Sequence, residues 1–121
     1  MPHQRQRLGA EGERRAEAFL RGQRYTIVER NFRCPLGEID LVALDRGTVV
    51  FVEVKTRTGA GHGSPLEAVD GRKQRQLLRA AQYYLTTHRL QGRDARFDVV
   101  GVWWDAGAVR CELVRNAFDA A

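Results

Sequence analysis

The sequence of 121 residues predicts a single α/β domain in which helices flank a mixed β-sheet, with elements in the order α-β-β-β-α-β-β. Two observations carry this prediction. Apolar residues recur at helical spacing in two segments, about residues 8–23 and 71–88. Three segments rich in β-branched and aromatic residues lie between these helices, and two more follow the second helix. We therefore expect a helix on each face of the sheet.

The first helix follows a polar and basic segment, residues 1–7, which is expected to be a frayed arm or the start of the helix itself. The apolar stripe of the helix consists of Leu8, Ala16, Phe19 and Leu20. Glu13 lies on the edge of this stripe and is the acid best placed to reach inward. The alternative is a surface acid that the helix dipole favours near the N-terminus.

The first strand is expected at residues 25–30, and residues 31–36 connect it to the next strand. Arg33 in this connection is a candidate contact to phosphate, and an ordinary surface arginine is the alternative.

The second and third strands, residues 37–44 and 49–55, are expected to form a hairpin, because residues 45–48 carry turn chemistry. A four-residue loop fixes which side chains face each other across the hairpin. A three-residue loop would place Asp40 among the valines of the third strand, which is much less favourable. We expect the four-residue register, or a bulge that restores it.

In that register Asp40 lies opposite Glu53 and Glu38 lies opposite Lys55, with all four side chains on one face. The aliphatic side chains, including Ile39, Leu41 and Ala43, are expected to form the core on the other face. Two facing carboxylates repel each other and raise one pKa unless a cation lies between them. Lys55 and a hard divalent metal ion are the two candidates for that cation. The alternative is a solvated polar face with structural ion pairs.

After this hairpin, residues 56–63 contain three glycines and predict a mobile loop beside the polar face, able to contact a substrate. Arg57 and His62 lie in it, and His62 is expected to be an ordinary loop histidine. No Gly-Lys-Ser/Thr follows, so the loop is not a P-loop and no nucleotide cofactor is expected.

The second helix is preceded by a short turn that begins at Ser64 and continues with proline and an acid. Basic residues at the helix N-terminus, Arg72 and Lys73 among them, match the helix dipole poorly and make more sense facing an anion. Gln74 points to the buried side. The buried stripe is expected to consist of Leu77, Leu78, Ala81, Tyr84 and Leu85.

The last two strands are expected at residues 96–104 and 108–114, the latter at the sheet edge. Asp98 is expected to be structural, paired with an arginine or a helix N-terminus. Trp103 and Trp104 are expected to pack in the core or at its rim, with stacking on nucleic-acid bases as the alternative.

The chain carries twenty Lys and Arg against fifteen Asp and Glu, a net charge of +5, and its only lysines are Lys55 and Lys73. This arginine-rich balance favours a nucleic-acid partner, although a GC-rich genome would give the same composition. The two cysteines form no CxxC pair, which indicates free thiols in a reducing cytoplasm and excludes a typical zinc site. No apolar run is long enough to span a bilayer, so a cytoplasmic protein is expected.

Four strings of sequence carry a resemblance to a known family. They are Gly37-Glu38-Ile39-Asp40-Leu41-Val42, Phe51-Val52-Glu53-Val54-Lys55-Thr56-Arg57, Arg30-Asn31-Phe32-Arg33 and Arg96-Phe97-Asp98-Val99. They resemble the YraN family, small bacterial proteins of unassigned function. The element order and the Asp…Glu-x-Lys pattern resemble the restriction-endonuclease-like fold with its PD-(D/E)xK motif, which Holliday-junction resolvases share. The proline of the motif is replaced by Ile39.

The resemblance implies a role for each matching residue. Asp40 and Glu53 would bind Mg²⁺ or Mn²⁺ together with the backbone carbonyl of Val54, and Glu13 would complete the metal site. Lys55 would orient or activate the attacking water. A polar residue on the second helix, Gln74 or Lys73, would support the motif.

The implied activity is Mg²⁺-dependent, structure-selective endonuclease cleavage of DNA in repair or recombination. The residues expected to contact nucleic acid are Arg33, Arg57, Arg72, Lys73 and Gln74. A rival expectation is a nucleic-acid-binding module of the same fold that does not cleave, and a third is a scaffold protein that does not respond to metal. Resolvase-like proteins usually dimerise, so the resemblance also implies a homodimer.

Overall fold

The structure is a computed structural model that describes residues 4–59 and 63–118. The predicted element order is confirmed, with a short 3₁₀ helix before the second α-helix. His62 lies outside the described residues. The elements are α1 (Gln4–Gly22), β1 (Thr26–Cys34), β2 (Gly37–Asp45), β3 (Thr48–Thr58), the 3₁₀ helix (Pro65–Ala68), α2 (Gly71–Thr87), β4 (Ala95–Asp105) and β5 (Ala108–Phe118).

The five strands form one mixed sheet in the order β1-β2-β3-β4-β5. Only β3 and β4 run parallel, because α2 carries the chain back across the sheet between them, and the other neighbours are antiparallel. The prediction that the last strand lies at an edge is confirmed. Neither of the two described α-helices has the length and hydrophobicity needed to cross a bilayer.

Each face of the sheet carries its own core under one helix, as predicted. Side chains of β3 alternate between the two faces, so this strand is buried on both sides. The α2 face includes Phe32, Ile39, Val42, Val49, Phe51, Leu77, Ala81, Tyr84, Phe97 and Val99. The α1 face includes Ala16, Leu20, Tyr25, Leu41, Ala43, Val50, Val52, Val100 and Val102.

The register of the β2–β3 hairpin is confirmed, since Leu44 pairs with Val49. The loop itself is shorter than expected, because Asp45 and Thr48 still pair with each other. The turn therefore consists of two residues, Arg46 and Gly47, with φ angles of 52° and 88°. Two consecutive positive φ angles are typical of the tight turns that match the twist of a hairpin.

The expected alternation along β2 fails at Asp40. Leu41 and Ala43 pack on the α1 face, whereas Ile39 packs on the α2 face, so the expectation that these three share a face is wrong. The reason lies in the hydrogen bonding: Asp40 Oδ2 accepts the backbone N–H of Val54 at 2.8 Å, a donor that a regular ladder directs to a strand carbonyl. The Asp40 side chain thus takes the place of a backbone acceptor between β2 and β3. As a result, the aliphatic side chains of β2 are divided between the two faces of the sheet instead of sharing one face.

Several element boundaries differ from the prediction. α1 begins at Gln4, before the periodic segment that starts at Leu8, so part of residues 1–7 is the start of the helix, one of the two expected alternatives. β1 continues to Cys34, past the predicted end, because Phe32 is drawn into the α2-face core and the strand stays paired with β2. β3 continues to Thr58, so Arg57 belongs to a strand and not to the predicted loop. Pairing with β4 extends β3, since Thr56 to Thr58 lie beside Val102 to Trp104.

Candidate functional site

The candidate site lies where β2 and β3 part, and it is reached from both faces of the sheet. Asp40 comes from β2, and Glu53 and Lys55 come from β3. Lys73 approaches from α2 on one face, and Glu13 lies on α1 on the other. Among the five, only Glu53 is fully buried, with 4% of its surface exposed.

The carboxyl groups of Asp40 and Glu53 lie close enough for Asp40 to raise the pKa of Glu53 through a side-chain hydrogen bond as well as through its charge. Asp40 is held in place because it also accepts the N–H of Val54, at the point where the ladder opens. The two acids therefore do not point to opposite sides of the sheet, an arrangement that would have excluded a shared site. Burial, followed by the hydrogen bond and the charge of Asp40, raises the pKa of Glu53 to about 8.

Two lysines only partly offset this repulsion. Lys73 Nζ lies 3.2 Å from Glu53 Oε2, and Lys55 Nζ lies 3.9 Å from the same oxygen. Both ammonium groups lower the pKa of Glu53, but burial and Asp40 outweigh them. The backbone of Lys73 is held in the first turn of α2, because its N–H donates to Oδ1 of the N-cap residue Asp70 at 2.9 Å. The sequence proposed Lys55 as the cation of the pair, and the structure adds Lys73 as the closer one.

Glu13 lies near Asp40 across the cleft. Burial, then the charges of Asp40 and Glu38, raise the pKa of Glu13, while Arg33 lowers it. The helix can come this close because of Gly12, where a β-carbon would lie only 2.1 Å from Thr56 Oγ1. Nevertheless, no three or more His, Cys, Asp or Glu residues within the described chain form a group that could hold a metal ion. The structure assembles a pair of acids, and the three-acid site stays a prediction.

An open cleft of about 830 Å³ gives access to this pair. Asp40 lines it, whereas the buried Glu53 lies behind Asp40. Lys55 and Arg57, both from β3, line the cleft. Arg33 from β1 and Glu13 from α1 line it as well. The cleft therefore presents cations around a recessed pair of acids, which suits a phosphate group held next to the carboxylates.

The other residues predicted to contact nucleic acid are distributed unevenly. Arg33 forms an exposed ion pair with Glu38 at 3.5 Å, so Glu38 pairs with this arginine rather than with Lys55. Arg57 is exposed at the cleft. Arg72 lies outside the cleft, on the exposed side of α2. The amide Nε2 of Gln74 donates to the carbonyl of Val69 at 3.1 Å, so this side chain is bound within its own segment.

The chemistry of the acid pair fits a hard divalent cation. Asp40 lies close enough to raise the pKa of the Glu53 carboxyl, and carboxylate oxygens of this kind are the ligands that Mg²⁺ prefers. Asp40 and Glu53 are thus the residues that would hold a metal ion. Mg²⁺ keeps several waters, so two protein carboxylates are an adequate donor set.

A second polar cluster was only partly foreseen. Asp98 is buried, and it accepts hydrogen bonds from Tyr25 Oη at 2.7 Å, Arg96 Nε at 3.1 Å and the N–H of Asn116 at 2.9 Å. The predicted pairing of Asp98 with an arginine is confirmed. Its other partners, Tyr25 before β1 and Asn116 on β5, are far from Asp98 in the sequence, so no local spacing predicts them. Trp103 is 3% exposed, which confirms core packing for that residue.

Comparison with known proteins identifies close relatives. Residues 12–102 match the family described as Uncharacterised protein family UPF0102. The UPF0102 protein of Moorella thermoacetica is 49% identical over 116 residues, which cover 94% of this chain and 97% of that protein. The UPF0102 protein of Desulfosudis oleivorans is 50% identical over 120 residues, covering 99% and 96%. The relative from Persephonella marina is 44% identical over 113 residues, covering 92% of each.

Proposed function

The chain belongs to the UPF0102 family, the YraN-like family that its motifs resemble, and we propose that it is a Mg²⁺-dependent endonuclease acting on DNA in repair or recombination. The same proposal assigns the fold to the restriction-endonuclease-like PD-(D/E)xK superfamily, with its similarity to Holliday-junction resolvases. The observation that carries the proposal is the contact between the Asp40 and Glu53 carboxyls beside Lys55.

The two acids suit the reaction because they are close together and poorly compensated. Asp40 and Glu53 would hold the ion, with the carbonyl of Val54 as a further oxygen ligand and Glu13 as the acid that completes the site. Bound Mg²⁺ or Mn²⁺ supplies charge neutralisation at the phosphate and a water of lowered pKa. The burial of Glu53 keeps its carboxyl out of bulk water, where competing hydration would weaken its interactions.

The lysines and arginines suit the substrate. Lys55 is partly exposed, with 31% of its side chain accessible, so its ammonium group can donate both to a phosphate oxygen and to a water beside Glu53. Arg33 and Arg57 at the cleft lining would hold the phosphate backbone without reading base sequence. Such contacts favour recognition of DNA shape, which is why a structure-selective substrate is part of the proposal.

One observation favours the second candidate, a nucleic-acid-binding module without cleavage activity. Within the residues that the structure describes, the acids gather as a pair and not as a group of three. A binding module needs the basic cleft but not the metal. The two candidates differ in one measurable property, because only the endonuclease requires the acids for its activity.

The test is cleavage of fluorescently labelled branched, flapped and single-stranded DNA by the purified protein with Mg²⁺ or Mn²⁺. Asp40→Asn and Glu53→Gln are expected to lower the rate at least about 100-fold, as losing a metal ligand removes transition-state stabilisation. Asp105→Asn is the matched control, because Asp105 is exposed at the far end of β4. Wild-type rates in both acid variants would refute the site, and binding without cleavage under either metal would favour the module.

A further inference from the structure

The arginines of the two α-helices differ in their ion pairing. On α1, Arg14 and Arg15 pair with Glu11, and Arg21 pairs with Glu17. α2 has the sequence GRKQRQLLRAAQYYLTT, which contains three arginines and a lysine but no acid. Among the described residues, none of the α2 arginines forms an ion pair, and its lysine reaches only Glu53. A helix needs no unpaired positive charge for its own stability, so this surface is suited to an anionic partner.

The unpaired arginines line a groove on the outer side of α2. Arg72, Arg75 and Arg79 lie along it at helical spacing, and all three are exposed. Leu36, at the β1–β2 turn, forms the opposite wall and is 48% exposed. The groove has a volume of about 450 Å³. Its one acidic lining residue, Asp70, already accepts the N–H of Lys73 as the helix cap.

Lys73 joins this groove to the acid pair. Its side chain lines the groove, and its Nζ lies 3.2 Å from Glu53 Oε2. A polyanion lying in the groove would therefore be led to the carboxylates by a continuous row of cations. From Arg72 to Arg79 the helix rises about 10 Å, over which one strand of B-DNA presents about three phosphates.

We propose that the α2 groove binds the phosphate backbone of one strand of the nucleic-acid substrate, outside the cleft, and leads that strand to the acid pair. The proposal rests on the nuclease function for what happens at the acids, but the groove acts by binding alone. Arginines that contact phosphate position the strand and carry no base specificity. The groove sets affinity and substrate length, while the acid pair sets the rate.

The experiment compares DNA binding by Arg75→Ala/Arg79→Ala with binding by the wild type, using fluorescence anisotropy of a labelled oligonucleotide in EDTA. Neither arginine touches the acids, so the fold and the acid pair are expected to be unchanged. The double variant is expected to bind at least about tenfold more weakly, and the slope of log K against log salt is expected to fall by about 1.8, since each lost phosphate contact contributes about 0.9.

The matched control is Arg14→Ala/Arg15→Ala, which removes the same charge from the helix on the opposite face of the sheet. It is expected to keep wild-type affinity and salt slope. Equal weakening in both double variants would mean that only net charge matters, and it would overturn the proposal. Absence of DNA binding by the wild type would also overturn it.

Two further variants separate this inference from the proposed function. Asp40→Asn is expected to bind DNA as tightly as the wild type while losing cleavage. In cleavage assays Arg75→Ala/Arg79→Ala is expected to raise KM with kcat within about twofold of wild type, because a uniform binding contact has been removed. Arg75→Lys/Arg79→Lys, which keeps the charge, is expected to recover most of the affinity. A lowered kcat with unchanged KM would contradict the groove, whereas cleavage by Asp40→Asn would contradict only the nuclease site.

Discussion

Two buried carboxylates on neighbouring strands have opposite environments. Asp98 on β4 lies beside Val52 of β3, and Glu53 is the next residue of β3, but the two side chains lie on opposite faces of the sheet. Asp98 accepts hydrogen bonds from Tyr25, Arg96 and Asn116, so its charge is well compensated. Glu53 lies next to Asp40, and burial together with this second acid raises the pKa of Glu53 to about 8. Burial is common to both acids, so it is the incomplete compensation of Glu53 that makes it the candidate functional acid.

The largest expected effect is a difference in the free energy of unfolding when Asp98 and Glu53 are substituted. Asp98→Ala leaves Arg96 and the Tyr25 hydroxyl without their buried acceptor, so it is expected to lower the free energy of unfolding by about 3 to 5 kcal/mol. Glu53→Gln is expected to leave the free energy of unfolding unchanged or higher at neutral pH, because it removes a strained acid. Urea denaturation measures both. If Glu53→Gln proved as destabilising as Asp98→Ala, Glu53 would be a structural acid too.

The next effect is a pH dependence that belongs to Glu53. Its pKa is about 8 in the folded protein and near 4.5 in the unfolded chain, so the unfolded state releases the proton first. The stabilising contribution of the protonated side chain is therefore complete below about pH 4.5 and is lost as pH rises through about 8. In metal-free buffer, wild-type stability is expected to fall by roughly 1 to 3 kcal/mol relative to Glu53→Gln across this range.

Urea titrations at several pH values test this, with Asp105→Asn as the exposed-acid control. The control is expected to follow the wild type at every pH. Parallel pH profiles for wild type and Glu53→Gln would mean that the folded protein does not hold a proton on this pair.

Sequence reasoning reached the contact between Asp40 and Glu53 because turn length and alternation determine which residues of a hairpin face each other. It did not foresee the break at Asp40, since a side chain that replaces a ladder hydrogen bond changes no residue spacing. For the same reason Ile39 was assigned to the wrong face. The closer approach of Lys73 was also missed, because the distance from a helix to a strand depends on packing across the whole face.

The other polar cluster shows the same limit. The Arg96 and Asp98 pair was accessible to sequence reasoning because two residues separated by one position lie on the same side of a strand. Tyr25 directly precedes β1 at one edge of the sheet and Asn116 lies on β5 at the other edge, and only the tertiary fold brings them to Asp98. The strand extensions in β1 and β3 have a similar origin, since pairing with neighbours overrides local turn signals.

The smallest expected effect distinguishes a two-acid site from a three-acid one. A ligand that binds only the folded state stabilises it by about 1.4 kcal/mol at ten times its Kd, so Mg²⁺ is expected to raise the Tm of the wild type. Asp40→Asn is expected to abolish the increase. Glu13→Gln is expected to keep more than half of it, because Glu13 influences Asp40 by charge but does not join a group of three acids in the described chain.

Asp98→Asn is not a suitable control for this measurement, because it changes stability by itself, so Asp105→Asn serves again. Complete loss of the Mg²⁺ effect in Glu13→Gln would show that Glu13 supplies an essential third ligand, as the family resemblance implies. If Mg²⁺ does not raise the Tm of the wild type, no metal ion binds at Glu53. Burial and Asp40 would then only keep Glu53 protonated, and Glu53 would differ from Asp98 only in its affinity for a proton. Thermal unfolding with and without Mg²⁺ therefore determines whether the charge of Glu53 is neutralised by a metal ion or by a proton.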